Sequence, residues 1–351
     1  MWGSYGPFLQ ILEMQLNRPE GVRAIAEWLY DSRKMAMPQA EAAAQPLAQY
    51  ACPVYGVGYN WLQSNADSGV SGPASYISAQ VIGANQAEVT AVLADSPGAL
   101  QLLPNAVYTN HRGEKGWLKV RLAKDLAGGP GEETIVTLPE KDPYAEIYAE
   151  RRAWWRLMDE ALIDPARTRP KGQVWLSYLK LLAKAVDFHA QLGDYYHPNT
   201  FAFWGAGDGH QAWDEIVWSV DARGSTGGAY QRKLIEEPDE ALADGRGSIA
   251  FALKGEARPV SPGYRRAGQP LEPVATQRAQ ARIAAAAHPG DEIVPASSGA
   301  APHTRGKLDA SRVRIWQNIE HQSAFQKHEV REWTFHTVFR MLEHASAERK
   351  A

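Results

Sequence analysis

Apolar positions in residues 8–35 recur at helical spacing: Phe8, Leu9, Leu12, Met14 and Leu16, then Val22, Ile25, Ala26 and Leu29. Pro19 interrupts the run, which predicts two helices. The stretch Pro53–Trp61 is different: short, β-branched and aromatic, with Gly56 and Gly58, so it reads as a buried strand with a polar exit at Ser64–Asp67. Residues 69–84 are weakly patterned, and 85–103 predict a short helical region ending at Pro104. A turn-rich span at 123–141 precedes two expected helices. The first is capped by Asp142-Pro143 and runs to about Ile163. The second covers about Gln173–Leu192, with Trp175, Leu176, Leu179, Leu182, Ala183 and Val186 on one face.

Strand-like runs follow at Thr200–Trp204, Glu215–Val220 and Ser248–Leu253, and residues 254–290 read as a long irregular connection. A strand at Val313–Trp316 and a helix at about Glu329–Ala345 close the chain. Strands interspersed with helices predict an α/β fold, not a bundle or a sandwich.

Composition narrows the function classes. The 351 residues are 44% hydrophobic and 22% charged, which is globular and argues against wholesale disorder. A net charge of -3 gives no electrostatic case for nucleic acid. One cysteine, Cys52, leaves no intramolecular disulfide and no Cys-rich zinc site. It reads as a buried structural thiol. No apolar run reaches the ~18 residues of a membrane span, and the first residues lack a Sec signal, so synthesis in the cytoplasm is expected. The 12 Trp and 14 Tyr fit either aromatic packing, as at Trp154 and Trp155, or a lipid- or sugar-facing cleft.

Candidate chemistry lies late in the chain. Asp291 opens the loop Gly290–Gly299, and His321 follows the predicted strand 313–316. A carboxylate and then a histidine, each after a late strand, is the Asp…His half of a hydrolase triad in chain order. The carboxylate would fix the imidazole tautomer, and the imidazole would take the nucleophile's proton. With ten His and 40 acids, a surface pair arising by chance is the competing reading. Gly205–His210 follows a strand but fails the G-x-G-x-x-G spacing, so a tight turn is expected there. His197, His210 and Asp208 match no standard metal spacing. His336, beside Trp333 and Phe339, reads as a partly buried structural histidine, and Lys115–Lys119 and Arg151-Arg152 as solvated faces.

Several blocks resemble bacterial α/β-hydrolase lipases of the type VI secretion effector class, themselves similar to GPI inositol-deacylase-like esterases. They are Trp2–Leu9, Val54–Trp61, Val92-Leu93 through Leu102–Asn105, Tyr195–Thr200, Gly290–Gly299 and Glu320–Gln322, in family order. The resemblance implies an α/β-hydrolase-like core with an incomplete central sheet and with helical cap and hairpin insertions. It divides the chain into a partial core at 1–110, a cap or lid at 111–199, and C-terminal core strands with the acid and His loops at 200–351. Asp291 then corresponds to the triad acid and His321 to the base. The family's Gly-Asp-Gly-Thr-Val-Pro becomes Gly-Asp-Glu-Ile-Val-Pro here, with Glu292 in the second glycine's place.

The nucleophile is the larger departure. No G-x-S-x-G occurs in the sequence. A helix, the nucleophile strand, its elbow and the next helix and strand need roughly 45 residues or more. Only residues 62–88 separate Trp61 from the matching block at Val89, so the nucleophile unit is expected to be missing near 66–84. The chain also opens inside what resembles the helix after the first oxyanion loop, which implies an N-terminal truncation. Ser71, in Gly69-Val70-Ser71-Gly72-Pro73, is the nearest imitation of a nucleophile; Gly224–Gly228 reads as a hairpin loop. The expectation is therefore a degenerate lipase or phospholipase-like serine hydrolase, inactive as written, with no cofactor. The alternatives are a non-catalytic lipid- or partner-binding protein and an active esterase using an atypical serine. By resemblance its substrates would be lipid esters, its partner a cognate secretion or immunity protein, and its route a type VI system without a signal peptide.

Overall fold

The computed structural model describes residues 2–49, 51–52, 54, 86–126, 129–170, 172–221, 238–244, 247–253, 258–259, 271–272 and 276–348. The strand expected at Pro53–Trp61 lies outside them apart from Val54. The loop at Gly224–Gly228 and Ser71 lie outside them as well. The chain forms two compact units. One comprises Met1–Tyr59, Tyr195–Ala212 and His288–Ala351, the other Asn60–Asp194 and Trp213–Ala287.

The first unit begins with α1 (Trp2–Asn17), α2 (Pro19–Arg33) and α3 (Met37–Gln49). Pro19 occupies the first turn of α2, where its missing N–H costs nothing. The apolar stripes of the two predicted helices share one core: Phe8, Leu12, Leu16, Ile25, Ala26 and Leu29 are buried together with Phe335 and Phe339 of the last helix, while Met14 is exposed. Small Ala40 and Ala44 let α3 approach the same core. Phe8 stacks on Phe325 with ring centroids 4.4 Å apart, and Trp28 stacks on His336 at 4.2 Å. Burial holds the His336 imidazole below its ordinary pKa, as a structural histidine requires.

The rest of this unit carries four short strands. β3 (Ala202–Gly205) runs parallel to β12 (Val313–Trp316), pairing Ala202 with Val313 through Gly205 with Trp316. β4 (Gly207–Ala212) pairs antiparallel with β11 (His288–Gly290). So Gly205–His210, expected to be a turn, is instead the passage from one strand into the next. A helix, Ala296–Thr304, follows the acid loop, and the final helix spans His328–Glu348.

The second unit is built on a six-stranded sheet in the order β2-β1-β5-β10-β7-β6. Its strands are β1 (Leu118–Leu126), β2 (Gly129–Leu138), β5 (Ile216–Asp221), β6 (Glu240–Ala243), β7 (Ser248–Leu253) and β10 (Gln277–Ile283). β1 and β5 are parallel and the other neighbours antiparallel. Two short strands, β8 (Arg258–Pro259) and β9 (Leu271–Glu272), pair with each other.

The turn-rich reading of 123–141 gives way to the β1–β2 hairpin, whose alternating Leu118, Val120 and Leu122 are buried. Lys119 and Arg121 between them complete a period-two alternation, the signal of a half-buried strand. The irregular reading of 254–290 fails at β10, a central strand that buries Ala279 and Ala281, residues of weak strand propensity.

The long helix expected from Asp142 to Ile163 does not form. Asp142 does accept the Tyr144 N–H at 3.0 Å, but only one wide turn follows, Tyr144–Tyr148, and a short helix at Glu160–Ile163. Between them the chain turns so that Tyr144, Ile147 and Tyr148 join one core cluster and Trp154 another. The helix Gln173–Leu192 has the predicted bounds but a rotated face. It buries Val174, Trp175, Tyr178, Leu182 and Ala185 and leaves Leu176 58% exposed.

The expected solvated face at Lys115–Lys119 is also overturned at its end. Lys119 is buried on β1 and donates to Glu215 Oε1 at 2.7 Å and to Glu114 Oε2 at 3.0 Å. Arg112 reaches the same Glu215 oxygen at 2.6 Å, and Asn110 donates to both carboxylates. The Glu215 carboxylate is thus a desolvated anion held by Lys119 and Arg112 at one oxygen, with Arg121 4.0 Å from the other.

Candidate active site

Two strands, β12 and β11, lead into the two loops that matter. After β12 comes Gln317–Ser323 with His321, and after β11 comes the acid loop with Asp291. Close packing brings them together. A Cβ on Gly205 would lie 2.8 Å from both the Asp291 Cβ and the Gly290 carbonyl oxygen. A Cβ on Gly290 would lie 2.8 Å from the Ala212 side chain.

The structure brings Asp291 and His321 into direct contact. Asp291 Oδ2 lies 2.8 Å from His321 Nδ1, with both side chains largely buried. A second tie joins the same two residues through the backbone, from the His321 N–H to the Asp291 carbonyl at 2.9 Å. The other carboxylate oxygen, Oδ1, accepts the N–H groups of Val294 at 2.7 Å and Ile293 at 3.2 Å. One oxygen is therefore fixed by its own loop while the other holds the imidazole. That arrangement places the Nδ1 proton toward Asp291 and leaves Nε2 as the basic nitrogen, the tautomer a general base requires.

The loop takes this geometry with a residue other than glycine at its left-handed position. Glu292 adopts φ +78°, in the left-handed region. A glycine enters that region without penalty, whereas an L-residue there costs roughly 1–2 kcal/mol. The Glu292 side chain offsets this: its carboxylate lies 2.6 Å from His210 Nδ1. His210 Nε2 lies 3.0 Å from Asn318 Oδ1, on the loop that carries His321. Glu292 first, and Asn318 second, hold the His210 imidazole above its ordinary pKa. Sequence reasoning had set His210 beside a turn; its only signal was position, after a strand and a glycine-rich stretch.

Ser71 lies outside the described residues. His197 accepts the Asn199 N–H within its own turn. Cys52 is half-buried, its backbone clasped by the Asn17 side chain, and burial pushes its thiol pKa up, away from a reactive thiolate. Among the described residues, no helix is long and apolar enough to cross a membrane.

Helices with short parallel and antiparallel strands, and an acid loop and a histidine loop at strand ends, make an open mixed α/β fold. A solved structure with this fold is the crystal structure of the Tle4–Tli4 complex. This chain is similar to one of its chains with a TM-score of 0.52 and 19% identity, over 91% of this chain and 63% of that one. The chain thus spans less than two thirds of the length of the structure it resembles. No protein-family model matches the chain, and no curated protein matches it.

Proposed function

We propose that this chain is a degenerate lipase-like serine hydrolase of the type VI effector class that retains the acid and base of the triad, Asp291 and His321, without a nucleophile. The observation that carries the reading is the 2.8 Å contact between Asp291 Oδ2 and His321 Nδ1, with Oδ1 clamped by two backbone N–H groups. A surface pair arising by chance has no reason to be joined twice, side chain to side chain and backbone to backbone. Likeness in fold to a chain of the Tle4–Tli4 complex supports the same reading.

In a complete enzyme of this kind His321 would take the proton of a serine as that serine attacks an ester carbonyl. It would then return the proton to the leaving alcohol, while Asp291 stabilises the imidazolium. The sequence holds no G-x-S-x-G, and an acyl-enzyme cannot form without the nucleophile. We place the missing unit near 66–84, assign lipid esters as the ancestral substrates, and assign the present chain to a binding role. A cognate immunity-type protein is the partner this proposal favours, since the structure it resembles was solved as a complex.

A fluorophosphonate serine probe followed by intact-mass spectrometry tests the assignment. The expected result is no adduct on the folded wild type and none on His321→Ala. One adduct on the wild type that vanishes in His321→Ala would mean that a serine, Ser71 being the first to examine, is activated after all.

A further inference from the structure

His210 lies outside the Asp291–His321 pair but touches both loops that carry it. Its Nδ1 meets Glu292, the residue directly after Asp291, at 2.6 Å, and its Nε2 meets Asn318, three residues before His321, at 3.0 Å. The ring stands on β4, and β4 is itself paired with β11, whose last residue, Gly290, opens the acid loop. Acid loop, base loop and supporting strand therefore converge on one side chain.

We propose that His210 is a positioning residue for the acid–base pair: its imidazole staples the acid loop to the base loop and so holds Asp291 against His321. This rests on reading Asp291 and His321 as an acid–base pair. The chemistry of an imidazolium suits the task. Charged, it donates from both nitrogens, one to a carboxylate and one to an amide oxygen, which are the acceptors present. Asp291 has already committed Oδ1 to its own loop, so a slip of either loop would lengthen the Oδ2–Nδ1 contact. Glu292 is also the residue in the left-handed conformation, and its bond to His210 gives a reason for a carboxylate where a glycine would be easier.

The charged groups facing His210 are Glu292 from the acid loop and Glu320 from the base loop; Asp208 shares its strand. The staple is therefore strongest in the imidazolium form. A histidine pKa raised on folding contributes stability fully below the unfolded value of about 6.5 and loses it as pH rises through the folded value. Above that pH one nitrogen loses its proton, and Asn318 must turn its amide to donate instead.

The test is proton NMR of the folded protein, following the deshielded His321 Nδ1 proton, assigned by its loss in His321→Ala, and its exchange with solvent. In His210→Ala this exchange is expected to accelerate about tenfold or more, as one charge-assisted tie is lost from a local opening. The acceleration should be selective, with backbone amides of the α1–α3 core unchanged. In the wild type, exchange should quicken as pH rises through the His210 titration, and this step should be missing in His210→Ala. Glu292→Gln, which keeps an acceptor for Nδ1, should fall between the two. If His210→Ala does not fold, Glu292→Ala and Asn318→Ala each cut one arm of the staple and serve in its place.

Unchanged His321 exchange in these variants would overturn the proposal. So would equal acceleration throughout the unit, the mark of a merely structural residue. Absence of the deshielded proton from the wild type would instead overturn the acid–base reading, so the two failures are distinguishable.

Discussion

Lys119→Met is expected to destabilise the protein by about 3–5 kcal/mol, because it strips a cation from a buried carboxylate and leaves the carboxylate behind. Glu215 has only 4% of its side chain exposed, and Lys119 only 8%. Arg112 at 2.6 Å and Arg121 at 4.0 Å would remain, which places the effect at the lower end of that range; Arg112, 44% exposed and hydrated, does not replace Lys119 in full. The double variant Lys119→Met with Glu215→Gln should recover part of the loss, since it removes the stranded charge as well. Urea unfolding measures both; a loss under 1 kcal/mol for Lys119→Met would show that Arg112 alone satisfies Glu215.

The same cluster predicts acid sensitivity. Burial works to raise the Glu215 carboxyl, and the hydrogen bond and charge of Lys119, with Asn110 and Arg112, outweigh it, so its pKa lies below the ordinary value. Hydrogen bonds from Asn110, then Lys119 and Arg112, hold Glu114 down at about 2. For carboxylates lowered on folding, the stabilisation is present above the unfolded pKa, about 4.3, and is lost as pH falls through the folded values. Stability should therefore decline from about pH 4.3 toward pH 2, and Glu114→Gln with Glu215→Gln should flatten that decline. A profile that stays steep in the double variant would move the acid sensitivity elsewhere.

Gly207→Ala is the second large effect. Its Cβ would fall inside the contact radius of the Gln317 carbonyl oxygen and 2.8 Å from the Gln317 carbonyl carbon. These are backbone atoms and cannot swing aside as a side-chain tip would. Gln317 begins the loop that carries Asn318 and His321, so relief requires β4 and the base loop to part. A loss of about 3 kcal/mol, the upper end of overpacking costs, is expected. Gly209→Ala is the matched control: nothing lies within 4 Å of the added methyl, and its effect should stay within about 0.5 kcal/mol. Thermal melts of the two variants check this, and equal losses would refute the steric account.

The same stretch shows how far the sequence could be read. Gly205 and Gly207 invite a nucleotide-loop or turn reading, whereas both glycines serve close approach: Gly205 to the acid loop, Gly207 to the base loop. Nothing local in Gly205–His210 distinguishes a turn from a passage between strands whose partners lie at 288–290 and 313–316. The helix at 142–163 failed for a related reason. Its apolar residues have helical spacing, but Tyr148 and Trp154 are drawn into different core clusters, and a continuous helix could not serve both.

Where the pattern is periodic and one face meets one core, the residues alone sufficed. They predicted α1 and α2 on either side of Pro19, the bounds of the helix Gln173–Leu192, the strand Val313–Trp316 and the final helix, because local propensity alone marks those bounds. They also marked Asp291 and His321 through chain order and resemblance. Tertiary structure alone decided the central position of alanine-rich β10 and the burial of Lys119. It also decided which face of Gln173–Leu192 is covered and the junction of His210 with Glu292 and Asn318, 82 and 108 residues away. These features depend on which group stands opposite. A buried lysine or a left-handed glutamate is unfavourable by itself and becomes stable only beside its distant partner, and local periodicity carries no record of that partner.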